Sequence, residues 1–198
     1  MRSVPVTVIG ERVINGFNPR LINDALGLGL KIQERSPEVT VPLLGRVLAA
    51  VERAVRQMPD DKLDWTAPDR NRPMREFTYH IFTVTMNSIR GLSSGQYARM
   101  DDAPGLSFTS FKAIADYGHQ MVEEYKRWAA QENPRVLARM GPRGSDDRSA
   151  SERLDVTTGH GVQHLRQLYF VLRQFGVEPK DPIQDSEFPP EYVLTILW

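Results

Sequence analysis

The sequence predicts a mainly α protein: a four-helix bundle preceded by a small β-hairpin and one short helix. Three observations predict it. Four long stretches place apolar residues at helical spacing. Residues 1–30 are instead rich in β-branched positions broken by a turn. The 198 residues, 40% of them apolar, suffice for one sizeable core plus an appendage.

The elements follow in order. Val4 to Ile9 reads as a strand, Gly10-Glu11 as a turn, and Arg12 to Phe17 as a second short β-prone run. Asn18 is placed to N-cap a short helix with Pro19 at its first position; Leu21, Ile22, Ala25 and Leu26 form its apolar face, and Gly27 and Gly29 end it. Residues 31–40, with Ser36-Pro37, make a linker between this appendage (1–30) and the bundle (41–198).

The first bundle helix is expected from about Pro42 to Met58, with Leu44, Val47, Leu48, Val51 and Val55 on one side. A second starts near Pro73, carries Phe77, His80, Ile81 and Val84 inward, and ends at Gly91. The third spans roughly Ser107 to Gln131, with Phe111, Ile114, Met121, Tyr125 and Trp128 on its apolar side. The fourth opens at Ser149-Ala-Ser-Glu152, which has capping-box spacing, and runs to Phe175 before Gly176. The connections 59–72, 92–106 and 132–148 are long enough to permit a crossover. The Pro-rich tail ends in Tyr-Val-Leu-Thr-Ile-Leu-Trp, an apolar segment that must pack on the bundle or on a second subunit.

Composition excludes several classes. Lys+Arg and Asp+Glu both number 25, so no basic footprint suggests a nucleic-acid partner. The Arg-rich stretch from Arg135 to Arg153 is broken by Asp146, Asp147 and Glu152 and reads as a solvated loop. With no cysteine, disulfides, thiolate metal sites and cysteine nucleophiles are ruled out. No apolar run approaches the roughly 20 residues that span a bilayer, and no signal-peptide pattern opens the chain. A soluble, cytoplasmic protein is expected.

The chemistry points to the histidines, of which there are four. His160 and His164 stand at i and i+4, which puts both imidazoles on one helix face, within reach of one ion. The same stripe continues to Leu168 and Leu172, so both face inward. His80, among Phe77, Ile81 and Val84, does the same on the second bundle helix. Three imidazoles in one core are hard to satisfy with hydrogen bonds alone, whereas a divalent metal satisfies all three nitrogens and keeps an open coordination position. The plainer alternative stays open: an interior histidine, or an i,i+4 pair, is more often structural than metallic. His119 has no histidine partner and takes no role. Trp65, Tyr79 and Arg166 lie near the ligand candidates and read first as packing or surface residues. Gln163 and Thr157 are at best supports for the ligands. Gly159 and Gly161 flank His160 within a helix, which suggests a close approach there, with room for a metal or ligand.

The wider context of these residues has a family likeness. Leu63-Asp-Trp-Thr-Ala-Pro68, then Arg72-Pro-Met-Arg-Glu-Phe-Thr-Tyr-His80-Ile81, resembles the DinB/YfiT-like superfamily, in which a Trp-x-x-Pro-like turn precedes the helix of the first ligand. Gly159-His160-Gly-Val-Gln-His164-Leu-Arg-Gln-Leu168 resembles that family's His-x-x-x-His helix, and Phe175-Gly176-Val-Glu-Pro179 its exit. The resemblance covers about 40–198. It implies an up-down-down-up bundle with a crossover between the second and third helices, a Ni²⁺ or Zn²⁺ ion on His80, His160 and His164, and homodimerisation. It further implies transfer of a low-molecular-weight thiol to an electrophile, or thiol-dependent isomerisation. The alternative is a non-catalytic metal-binding or oligomerisation module, and the second alternative a metal-dependent hydrolase.

Residues 1–30 have a likeness of their own. Ser3-Val-Pro5-Val-Thr-Val-Ile-Gly-Glu-Arg-Val-Ile-Asn-Gly16-Phe-Asn-Pro-Arg-Leu21 resembles the closing half of a glutaredoxin or thioredoxin-like domain. The half that would carry its Cys-x-x-Cys is absent, so redox activity does not carry over. The resemblance implies a piece that docks elsewhere, on the bundle or on another chain.

Overall fold

The computed structural model describes residues 6–15, 19–29, 35–68, 70–131, 137 and 149–195. The Asn18 cap, nearly all of the 132–148 connection and the last three residues lie outside them. The chain divides into two compact units, Met1–Glu34 and Arg35–Trp198.

In the first unit, β1 (Val6–Ile9) pairs antiparallel with β2 (Arg12–Asn15) in the register Val8↔Val13 and Ile9↔Arg12. Gly10 takes φ 59°, the left-handed value that so short a hairpin loop demands. Helix α1 (Pro19–Leu26) follows; the Gly27 and Leu28 N–H groups close its end on the carbonyls of Asp24 and Asn23.

The second unit is the bundle. Helix α2 (Pro37–Val55) starts five residues before the expected Pro42, because Ser36-Pro37 is itself a start signal with Pro at the first turn. Pro42 lies inside the helix and forgoes one backbone bond, a cost of about 3 kcal/mol. Burial of Leu43 and Leu44, at about 1.5–3 kcal/mol each, offsets it. Helix α3 (Met74–Ser94) runs past Gly91 to Gly95, which caps it at φ 75°. Gly91 instead lets the ring of Tyr97 lie against the helix, where an added Cβ would stand 2.3 Å from it.

Between α3 and α4 (Phe111–Gln131) the chain doubles back along α3. A 3₁₀ turn at Ala103–Ser107, which takes in the Ser107 expected to open the next helix, packs on the first turns of α3. A Cβ on its Gly105 would stand 3.0 Å from both Glu76 Cα and Tyr79 Cβ. Helix α4 then begins where Ser110 Oγ accepts the Ala113 N–H and Asp60 accepts the Phe111 N–H at 2.7 Å. It therefore runs parallel to α3, the two "down" helices of the up-down-down-up order. Helix α5 (Ala150–Gln174) opens on a complete capping box, with Ser149 Oγ accepting from Glu152 N–H and Glu152 from Ser149 N–H.

Both α2 and α3 pack on α4 and α5, and α2 and α3 lie across the diagonal from each other. The shared core holds Leu44, Val47, Leu48, Phe82, Met86, Ile114, Tyr125, Leu154, Leu165 and Leu168. Tyr125 reaches through it to donate to the Val41 carbonyl at 2.7 Å. The tail packs on the bundle as far as Tyr192: Ile183, Phe188 and Tyr192 are buried, and Arg166 holds Asp185 through two bonds of 2.9 and 3.1 Å, whereas Leu194 in the apolar end is exposed. Among the described residues no helix is long and apolar enough to cross a membrane.

Candidate metal centre

Helices α3 and α5 pack side by side, and their inward faces bring three histidines together. On α5, Leu165, Leu168 and Leu172 form the buried stripe, and His160 and His164 lie along its edge. On α3, Phe77 and Ile81 anchor the face from which His80 points. The Ser88 and Thr157 hydroxyls meet at 2.6 Å further along the same helix pair and fix its register. Each histidine offers one ring nitrogen, and the three lie within 4.8 Å of one another; the ring centroids of His160 and His164 are 4.2 Å apart. The ring of His80 stands nearly perpendicular to both, with centroids 5.9 Å from His160 and 5.5 Å from His164. Among the described residues this is the group of three with metal-binding geometry.

The outer nitrogens of His80 and His164 are held. His80 Nδ1 donates to the Asp102 carboxylate, 2.9 Å from each oxygen. His164 Nδ1 donates to Gln167 Oε1 at 2.6 Å. With the proton on Nδ1, each ring turns an Nε2 lone pair toward the cluster. His164 Nε2 is buried and has no hydrogen-bond partner. An orphaned buried acceptor of this kind costs about 1–3 kcal/mol unless something satisfies it. The edge of Phe77 closes on the His164 ring at 5.2 Å and helps exclude water.

Electrostatics keep the imidazoles neutral. Burial first, and then the neighbouring His80 and Arg72, push His160 down to about 4. Burial, then His160, pushes His164 well below the usual imidazole range. Burial and Arg72 also lower His80, against the opposing pull of Asp102. Three neutral nitrogens facing one point fit a divalent cation: they are soft enough for Ni²⁺ or Zn²⁺, need no deprotonation at neutral pH, and leave coordination positions open.

The remaining sequence candidates fall into place as packing or surface residues. His119 is exposed, facing Glu52 at 3.3 Å, and takes no part. Trp65 packs edge-on against Phe175, and Tyr79 against Phe108 and Tyr117. Gln163 accepts from Arg166 rather than supporting a ligand, and Thr157 binds Ser88 and the Arg153 carbonyl. The two glycines do not make room for a ligand. A Cβ on Gly159 would meet Tyr192 at 2.9 Å, and one on Gly161 would meet Val47 at 3.3 Å. They admit the tail and α2. Asp102, Arg72 and Gln167 were not among the sequence candidates; only Gln167, three residues after His164, carried a local signal. A surface groove of about 340 Å³ between α3 and α4, lined by Arg90, Glu124 and Trp128, lies away from the histidines. The donor set, and not the groove, marks the site.

The DinB superfamily model matches residues 43–168, a span that contains all three histidines. Among solved structures, the chain is similar to YfiT from Bacillus subtilis, described as a probable metal-dependent hydrolase with an unusual four-helix bundle topology. The two share 20% identity at a TM-score of 0.56, over 77% of this chain and 99% of that one. At that identity the likeness carries the fold. Among curated proteins none matches the chain.

Proposed function

The chain belongs to the DinB superfamily, and from that premise we propose that it is a metal-dependent enzyme whose divalent cation is held by His80, His160 and His164. One observation carries the reading: the buried, unpartnered Nε2 of His164, with a nitrogen of each of two other histidines within 4.8 Å. A cation bound there supplies Lewis acidity, stabilising negative charge on a coordinated sulfur or oxygen. The protein's own part is to keep the imidazoles neutral, fix their tautomers through Asp102 and Gln167, and exclude water with Phe77.

The reaction proposed first is transfer of a small thiol to an electrophile: the S–H bond and a carbon–leaving-group bond break, a sulfur–carbon bond forms, and the proton departs with the leaving group. The resemblance of the His80 and His160-x-x-x-His164 segments to the family supports it. Hydrolysis is the second reading, supported by the description of the YfiT neighbour. Nickel or zinc, a homodimer and a cytoplasmic setting complete the proposal.

Metal analysis of protein purified without a polyhistidine tag tests the core of this reading. Near one Ni or Zn per chain is expected, lost when His160 and His164 become Ala. Metal-free wild-type protein that resists loading overturns it. Titration of a Co²⁺-loaded form with small thiols then separates the two reactions: an unchanged spectrum counts against thiol transfer.

A further inference from the structure

We propose that Asp102 is the positioning residue of His80 in the histidine site, and that the crossover segment carrying it is clamped in place when the metal binds. The inference rests on the metal reading above and adds a residue that lies 22 positions from its histidine, in a segment with no helical pattern.

Asp102 is 6% exposed, and a carboxylate so deeply placed is costly unless charge and hydrogen bonds compensate it. Two partners do so: His80 Nδ1, and Arg72 Nη2 at 3.1 Å from the second oxygen. The carboxylate–imidazole contact has a direct consequence for the opposite nitrogen. It holds the proton on Nδ1, fixes the ring's rotation and raises the donor strength of Nε2. Gln167 does this for His164 with a neutral oxygen, and among the described residues no side chain does it for His160. His80, the one of the three held by a charged oxygen, is therefore the strongest donor.

The segment around Asp102 is built to deliver that carboxylate. Asp101 accepts the Ala103 N–H at 3.0 Å, and the Asp102 carbonyl accepts the Gly105 N–H at 2.9 Å, which starts the 3₁₀ turn. Gly105 then lies flush on α3, where a side chain would push the turn away. Arg75 on α3 donates to the carbonyls of Leu106 and Phe108 at 3.3 and 3.0 Å. The same turns of α3 thus present His80 and hold the strand of chain that orients it. A cation on Nε2 makes Nδ1–H more acidic and its bond to Asp102 stronger. Metal binding and closure of this segment must then favour one another by the same factor.

Three measurements on the full chain test this. In metal-free wild type, ¹⁵N–¹H correlation of the histidine rings should show His80 as the Nδ1–H tautomer. Chelator competition should show Co²⁺ affinity falling about 10–100-fold in Asp102→Ala, with Asp102→Asn between it and wild type, and a shifted Co²⁺ spectrum in both. Hydrogen exchange at Ala103–Phe108 should slow on metal loading in wild type and not in Asp102→Ala. If Ala at this position prevents folding, the Asn variant and the wild-type tautomer still decide. A wild-type His80 protonated on Nε2, or Co²⁺ affinity and spectrum unchanged in the Asn variant, overturns the role of Asp102 while leaving the metal site intact. Wild type that takes up no Co²⁺ overturns the metal reading and this proposal with it.

Discussion

Acidifying the metal-free protein should destabilise it through the histidine cluster, and the size of the effect can be worked from His160. Its folded value is about 4, pushed down first by burial and then by His80 and Arg72. In the unfolded chain it returns to about 6.5. Between these values the unfolded state binds more protons than the folded one, so stability rises with pH across that window. The contribution is complete above about pH 6.5 and is lost as the pH falls toward about 4. At roughly 1.36 kcal/mol per pH unit, the loss from this one ring approaches about 3 kcal/mol. That is a large share of the roughly 5–15 kcal/mol that holds an ordinary domain together. His164 is displaced in the same direction and adds to the slope. Urea denaturation of chelator-treated protein at several values between about pH 7.5 and about pH 4.5 gives the slope directly. The same series on His160→Gln gives the slope without that ring, and comparing slopes cancels whatever the substitution itself costs. Equal slopes in the two proteins would refute the reasoning, because the burial that depresses His160 would then not be felt.

Other expectations follow from the packing and the caps. Gly118→Ala improves helix propensity by about 1 kcal/mol, yet its Cβ would stand 2.2 Å from the Phe82 ring, so a net loss of about 1–3 kcal/mol is expected by thermal melt; combining it with Phe82→Leu should recover part of that loss. Ser149→Ala removes one half of the α5 capping box and should cost about 1 kcal/mol; an unchanged denaturation midpoint would count against the cap. Leu165→Ala, at a fully buried position of α5, should cost about 2–5 kcal/mol. Free metal at about a thousand times its dissociation constant should stabilise wild type by about 4 kcal/mol, and should leave the His160→Ala, His164→Ala double variant unmoved.

What the sequence determined by itself is whatever depends on residues a turn apart. Helical spacing located all four bundle helices, because an amphipathic stripe is a local property of the chain. It also placed His160 and His164 on one face, and set His80 among core residues. The hairpin was legible from the β-branched runs around Gly10-Glu11. Helix ends were less so: Pro42 and Gly91 carry breaker chemistry, but burial outweighed the first and Tyr97 uses the second. Stripe position suggested that His80 joins the other two, and family likeness raised that reading above the plainer structural one.

Only the tertiary structure decided what lies across long sequence separations. That α2 and α3 sit on the diagonal, with α3 beside α5, follows from the crossover and not from any helix's own pattern. The pairing of His80 with Asp102, and of Asp102 with Arg72, depends on a loop doubling back along α3. No periodic signal marks a residue in such a segment. The glycines beside His160 show the same division: their presence was readable, but what they admit, Tyr192 and Val47, comes from chain more than thirty residues away in one case and over a hundred in the other. Donor residues are written in the local pattern of the helices; the neighbours that fix their tautomer and deny them water are set by how the helices and the crossover pack.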